Sequence, residues 1–179
     1  ELIGILGYAW NKMYKKELLI NNNFKFVKGL SLIEDIVFNA PVLAKAERIS
    51  FIESKYVHYM QRPIETLGAK FYENYYDLKI TAMNSVQMML YEWGKNDQEI
   101  RALINQIGYN SLKSTTRLLS KAENYTKDEK NIYLKGLLNK NAVQDILKEY
   151  SPQKYKDKMI KFLLLKRKVN LLLTMYSRR

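Results

Sequence analysis

Apolar side chains in the second part of the sequence recur at steps of three and four. Phe71, Tyr75, Leu78, Ala82, Val86, Met89 and Trp93 therefore share one face of a single helix. Gly94 follows at once and supplies a C-terminal stop, because glycine tolerates the left-handed conformation that closes many helices. The same period predicts a second helix from about Gln98 to Lys121, with Ile100, Leu103, Ile107, Leu118 and Leu119 inward. A third, from about Lys127 to Glu149, carries Ile132, Leu134, Leu137, Leu138, Val143, Ile146 and Leu147. Ser151-Pro152 breaks the chain and opens a fourth, since proline's missing N–H is not needed in a first turn. Residues 68–179 thus read as a helical bundle in which Tyr75, Leu78, Val86 and Met89 are buried.

The fourth helix is harder to orient. Met159, Ile160, Phe162, Leu163, Leu164, Leu165, Leu171, Leu172 and Leu173 spread around its whole circumference. That suits a helix packed on more than one side, or one that touches protein on one side and a bilayer on the other, with basic side chains reaching outward.

Residues 1–67 are written in another style. Short runs of Ile, Val, Phe and Tyr alternate with Gly, Asn and charge clusters, as strands and helices mixed would require. Ile49-Ser50-Phe51-Ile52 and Tyr56-Val57-His58-Tyr59 read as two short strands or one bulged strand, and Asn21-Asn22-Asn23 as a polar turn after a helix. The expected fold is mainly α, with a small α/β portion preceding the bundle.

Composition narrows the chemistry. Cysteine is absent, which excludes disulfides, thiolate zinc sites and cysteine nucleophiles and fits a cytoplasmic location. The single histidine, His58, has no nucleophile-elbow sequence to serve. The opening Glu1-Leu2-Ile3-Gly4-Ile5-Leu6-Gly7 lacks an initiator methionine, a preceding basic stretch and a small-residue cleavage site, so it reads as an excised segment without a signal peptide. No membrane span is predicted, because the longest apolar candidate, Met159 to Tyr176, is interrupted by Lys166-Arg167-Lys168. The net charge of +12 is uneven, +2 over residues 1–90 and +10 over residues 91–179. From Ser151 onward nine basic residues face one acid, Asp157, a balance that points to an anionic partner as readily as to a solvated terminus. No nucleic-acid-binding motif accompanies this charge, and the fourteen tyrosines fall mostly on apolar helical faces.

The informative stretch comes early. It runs Gly7-Tyr8-Ala9-Trp10-Asn11-Lys12-Met13-Tyr14, then Phe24-Lys25-Phe26 and Gly29, then Ser31-Leu32-Ile33-Glu34-Asp35-Ile36-Val37-Phe38-Asn39, and finally Tyr56-Val57-His58-Tyr59-Met60-Gln61-Arg62. In this order and spacing it resembles the second half of the catalytic domain of bacterial family 2, GT-A-type glycosyltransferases that build cell-surface polysaccharides. That family has a W-N-K-x-Y segment, an F-x-x-G, an E-D pair opening a helix, and a strand ending in Y-x-x-R. The resemblance covers about the first third of the chain. It implies the acceptor-side remnant of a GT-A domain over residues 1–67, followed by the helical tail.

The resemblance further implies that Asp35, beside Glu34, is the general base that takes the acceptor's proton during inverting transfer from a nucleotide-sugar. Trp10, Asn11 and Lys12 would lie at the acceptor site, and His58 and Arg62 near the diphosphate or metal. Partners so implied are the missing nucleotide-sugar-binding half and a glycan or lipid-linked acceptor; the basic end adds an anionic membrane surface, at the cytoplasmic face, as an expected partner. Each residue also has a plainer reading. Ser31-Leu32-Ile33-Glu34 fits a capping box, which would make Asp35 an ordinary first-turn acid. Trp10 serves equally as a half-buried core residue, Lys12 as a solvated lysine, His58 as an ordinary strand residue, and Arg62 as a partner for an acid.

Along the helix that Asp35 opens, Ile33, Ile36, Val37, Ala40 and Ala44 form one apolar stripe, and Phe38 and Val42 a second, so cover is expected on both sides. Two features depart from the family pattern. Pro41 falls inside that helix, where it costs about 3 kcal/mol unless the helix kinks or ends. No Asp-x-Asp segment is present, so a divalent Mg or Mn ion is expected only in a full-length enzyme, and this portion alone is expected to be inert. The rival reading is a basic helical module that binds nucleic acid or a protein.

Overall fold

The structure is a computed structural model and describes residues 6–54, 56–58, 60, 68 and 70–177. Among them are eight helices and no strand. In chain order they are α1 (Lys16–Asn21), α2 (Glu34–Lys45), α3 (Tyr75–Glu92), α4 (Asp97–Lys121), α5 (Lys127–Asn139), α6 (Asn141–Glu149), α7 (Tyr155–Leu165) and α8 (Val169–Ser177). The protein is mainly helical. The chain forms two compact units, one from Glu1–Leu67 with Ile80–Ile100 and the other from Gly68–Lys79 with Arg101–Arg179.

The first unit is organised around α2. Leu6, Ile33, Phe38, Ala40, Val42 and Leu43 are buried there, as are Ala82, Met83, Val86, Met89 and Leu90 of α3. Phe26 stacks on Phe38 with ring centroids 4.1 Å apart, and Tyr14 meets the edge of the same ring at 5.5 Å. Near the ends of α2 and α3, Lys45 pairs with Glu92 at 2.9 Å and the Trp93 indole N–H donates to the Leu43 carbonyl at 3.2 Å. Of the two stripes expected on α2, Phe38 and Val42 are buried with Ala40, while Ile36, Val37 and Ala44 are half-buried. Pro41 does not end the helix: α2 runs on to Lys45 with Pro41 on its exposed side. The Val37 carbonyl then loses its α-helical partner on a face that water can reach.

Three helices end the same way. After α1, α3 and α7 the chain turns through a left-handed residue, respectively Asn23 (φ 52), Gly94 (φ 69) and Arg167 (φ 50). In each, the N–H of the following residue reaches back five positions: Phe24 to Leu19, Lys95 to Leu90 and Lys168 to Leu163. This is the Schellman closure, which satisfies carbonyls that a helix end leaves open. Gly94 and Asn23 are residues suited to that conformation. Arg167 is not, and its Cβ carries the steric cost.

The second unit holds the tail. Tyr109, Leu112, Leu119, Leu134, Leu138, Val143, Leu147, Ile160, Leu164 and Leu172 are almost fully buried. The packing is close enough that a Cβ on Gly108 of α4 would stand 2.6 Å from Cδ1 of Ile146 on α6. Helix α5 opens on a capping box, with Thr126 and Glu129 satisfying each other's backbone N–H groups.

Several expectations need correction. The third helix is two, because Lys140 (φ −65, ψ 128) leaves the helical region and serves both as C-cap of α5 and N-cap of α6. The fourth is also two, divided by the turn at Arg167. Tyr75, Val86 and Met89 are buried as their spacing predicts, but Leu78 is half-buried and Ile132 is 72 % exposed. Ser31 does not cap α2: the N-cap is Ile33 and no side chain bonds there, since the left-handed Leu32 (φ 71) delays the helix start. Residues 49–54 and 56–58 have no regular structure, and Phe51, at 77 % exposed, has no ladder to join; Lys55 and Tyr59 lie outside the described residues.

Candidate functional site

Of the residues singled out in the sequence, Lys12 and Asp35 are brought together at the start of α2. Glu34 and Asp35 occupy its first turn, where unbonded N–H groups and the helix dipole favour a carboxylate. Asp35 is half-buried, and its charge is felt by two groups on the segment 8–14. Burial lowers the pKa of the Lys12 ammonium, while Asp35 acts in the opposite direction and holds the proton on. Burial first, and the Asp35 charge second, push the Tyr14 phenol up to about 12. Lys12 and Tyr14 therefore both lie in the field of a carboxylate that is only half-buried.

The segment that carries Lys12 is held by a buried amide. Asn39 is one helical turn beyond Asp35 on the same face of α2, and it is fully buried. Its Oδ1 accepts from the Tyr14 hydroxyl at 2.6 Å and its Nδ2 donates to the Leu6 carbonyl at 2.7 Å. One side chain thus anchors the chain on both sides of residues 8–12. Within the loop, Lys12 Nζ donates to the Tyr8 carbonyl and to Asn11 Oδ1, the latter at 2.8 Å. Tyr8 and Trp10 lie with ring centroids 5.2 Å apart, and Trp10 is 48 % exposed.

Glu34 has a different environment. Its Oε2 is buried and has no hydrogen-bond partner among the described residues, a costly state for a carboxylate oxygen. Of the residues expected near a diphosphate, His58 is exposed in the irregular stretch and makes no hydrogen bond or ion pair with Lys12 or Asp35, and Arg62 lies outside the described residues. No three His, Cys, Asp or Glu side chains converge among the described residues. Sequence reasoning missed the structural part of the site, Tyr14 and Asn39. The readable signal was the four-residue step from Asp35 to Asn39, which puts an amide on an otherwise apolar side of the helix.

The arrangement is a half-buried carboxylate at a helix start, a lysine and a phenol that feel its charge, and an exposed tryptophan on the same segment as the lysine. It can accept a proton from a hydroxyl brought to Asp35. No protein-family model matches the chain, and comparison with curated proteins and with solved structures returns no match.

Proposed function

We propose that this chain is the acceptor-side part of an inverting, family 2 type glycosyltransferase that transfers a sugar from a nucleotide-sugar to a cell-surface glycan or lipid-linked acceptor at the cytoplasmic face of the membrane. The observation that carries the reading is the approach of Asp35 to Lys12 across 22 intervening residues, joining two of the motifs that resemble the family. Asp35 takes the proton as the acceptor oxygen forms its bond to the anomeric carbon and the bond to the departing diphosphate breaks. Lys12 brings a positive charge towards the carboxylate, Trp10 with Tyr8 is the acceptor-side aromatic pair, and Asn11 orients the Lys12 ammonium. Glu34 carries the adjacent carboxylate, whose buried oxygen is suited to a donor supplied by the remainder of the enzyme. The nucleotide-sugar is bound by a separate N-terminal half, beside which the irregular residues 49–54 find a strand partner, with His58 and Arg62 near the diphosphate. This part alone is inert.

The test is Asp35→Asn in the enzyme that carries both halves. The amide keeps the shape but cannot take the proton, so transfer falls at least about a hundredfold while donor binding stays unchanged. Transfer close to that of the parent would reduce Asp35 to a first-turn acid.

A further inference from the structure

The second unit presents a surface that the sugar-transfer reading does not use. On α7, Ile160, Leu163 and Leu164 are buried, which fixes the packed side of the helix. Tyr155, Met159 and Phe162 follow at steps of four and three on the opposite side, where Tyr155 is 85 % exposed and Phe162 57 %. The apolar residues that seemed scattered by sequence therefore sort into two stripes, one inside the protein and one facing out.

Charge is sorted with them. Asp157, the sole acid after residue 150, is turned into the protein, where its carboxylate pairs with Lys113 at 2.9 Å and its carbonyl accepts from the Tyr109 hydroxyl at 2.7 Å. Lys154, Lys156 and Lys158 are exposed at the N-terminal end of the outward stripe. Lys166, Arg167 and Lys168 are exposed at its C-terminal end, held there by the left-handed turn at Arg167. None of these six cations is in an ion pair among the described residues.

We infer that the exposed face of α7 is a docking surface for an anionic lipid leaflet. Tyr155 is interleaved with the first three cations, Met159 and Phe162 lie between them and the second three, and α7 carries no acid on that face. An amphipathic helix lying in the headgroup region requires this arrangement: apolar side chains enter the acyl boundary and cations meet lipid phosphates. A polyanion in solution would need the cations but not the apolar stripe. Among the described residues no helix is long and apolar enough to cross a membrane, so contact is in the plane of the surface. The inference stands on the second unit alone and does not depend on sugar transfer.

The experiment is co-sedimentation of the whole chain with vesicles of phosphatidylcholine alone or mixed with phosphatidylglycerol, at low and high salt, with binding to soluble heparin measured in parallel. The mixed vesicles bind, the neutral ones bind little, and added salt weakens the complex. Replacing Lys166, Arg167 and Lys168 with glutamine lowers affinity by about fivefold per charge that reaches the surface. Tyr155→Ser combined with Phe162→Ser keeps every charge, lowers vesicle affinity about tenfold or more, and leaves heparin binding unchanged. Both serines are exposed, and circular dichroism confirms that helix content is retained. The inference is overturned if the double serine variant binds mixed vesicles as the parent does, if it loses heparin to the same degree, or if the parent binds no vesicle. A preference for heparin or nucleic acid over mixed vesicles near physiological salt would also overturn it, in favour of a nucleic-acid surface.

Discussion

Asn39 is the residue on which the candidate site depends, and its removal has a magnitude that can be worked out. Asn39→Ala deletes both the acceptor of the Tyr14 hydroxyl and the donor to the Leu6 carbonyl. Tyr14 is half-buried and its hydroxyl can regain water, so that bond accounts for about 1 kcal/mol. Leu6 is 2 % exposed, and its carbonyl is left without a partner at a cost of about 1–3 kcal/mol. The total is about 2–4 kcal/mol, from the first unit alone. Both tryptophans, Trp10 and Trp93, belong to that unit, so urea unfolding followed by tryptophan fluorescence reads it selectively, while circular dichroism reads the whole helix content. The measurement belongs near neutral pH. The folded-state pKa of Tyr14 is raised from 10.0 to about 12, so its contribution is complete below pH 10 and is lost as pH rises through that window. Tyr14→Phe removes one bond only and costs about 1 kcal/mol, and the double variant costs less than the sum because the two single changes share that bond. A fluorescence midpoint for Asn39→Ala that corresponds to less than about 0.5 kcal/mol, the usual range of a surface substitution, would refute the anchoring role.

Two further predictions concern the second unit. Gly108→Ala gains up to about 1 kcal/mol of helix propensity but drives a Cβ to 2.6 Å from Ile146 Cδ1, an overpacking that costs about 1–3 kcal/mol, so the net effect in thermal unfolding is a loss. Adding Ile146→Val removes the offending atom and recovers part of that loss; a stabilised Gly108→Ala would show that α4 and α6 are not so close. Arg167→Gly relieves a left-handed residue worth about 1–2 kcal/mol and gives back about half in unfolded-state freedom, so urea unfolding shows a gain near 0.5–1 kcal/mol. A loss instead would mean that the Arg167 side chain makes contacts that outweigh its strain.

The helical tail was legible because its signal is repeated. Tyr75, Val86 and Met89 each restate the same face of α3, and a left-handed glycine ends it. What escaped was set by single residues. The break at Lys140 has neither glycine nor proline to mark it, and the only local hint is a pair of flanking asparagines, Asn139 and Asn141, both weak helix formers. The turn at Arg167 runs against local preference, and its location follows from burying Val169, Leu172, Leu173 and Tyr176. At the site, the sequence pointed to Asp35 and Lys12 through the order of motifs, while the buried amide that anchors the segment is visible only through contacts 25 and 33 residues apart. Ser31 shows the reverse error, a local capping pattern that a left-handed Leu32 makes unusable.

The two acids that matter here differ in what surrounds them, and that difference separates structure from function better than residue type does. Asp157 and Lys113 have side chains 20 % and 29 % exposed, and the pair is enclosed further by the Tyr109 hydroxyl on the Asp157 carbonyl. A substrate reaching Asp157 would have to displace a partner already at bonding distance, so this carboxylate is committed to packing α7 against α4. Asp35 has no such enclosure. It influences Lys12 and Tyr14 through space, while Lys12 spends its hydrogen bonds on Tyr8 and Asn11 and Tyr14 spends its own on Asn39. The lysine and the phenol that feel the Asp35 charge are therefore held by other partners, and under the proposed role the lone pairs of Asp35 stay available to an incoming hydroxyl.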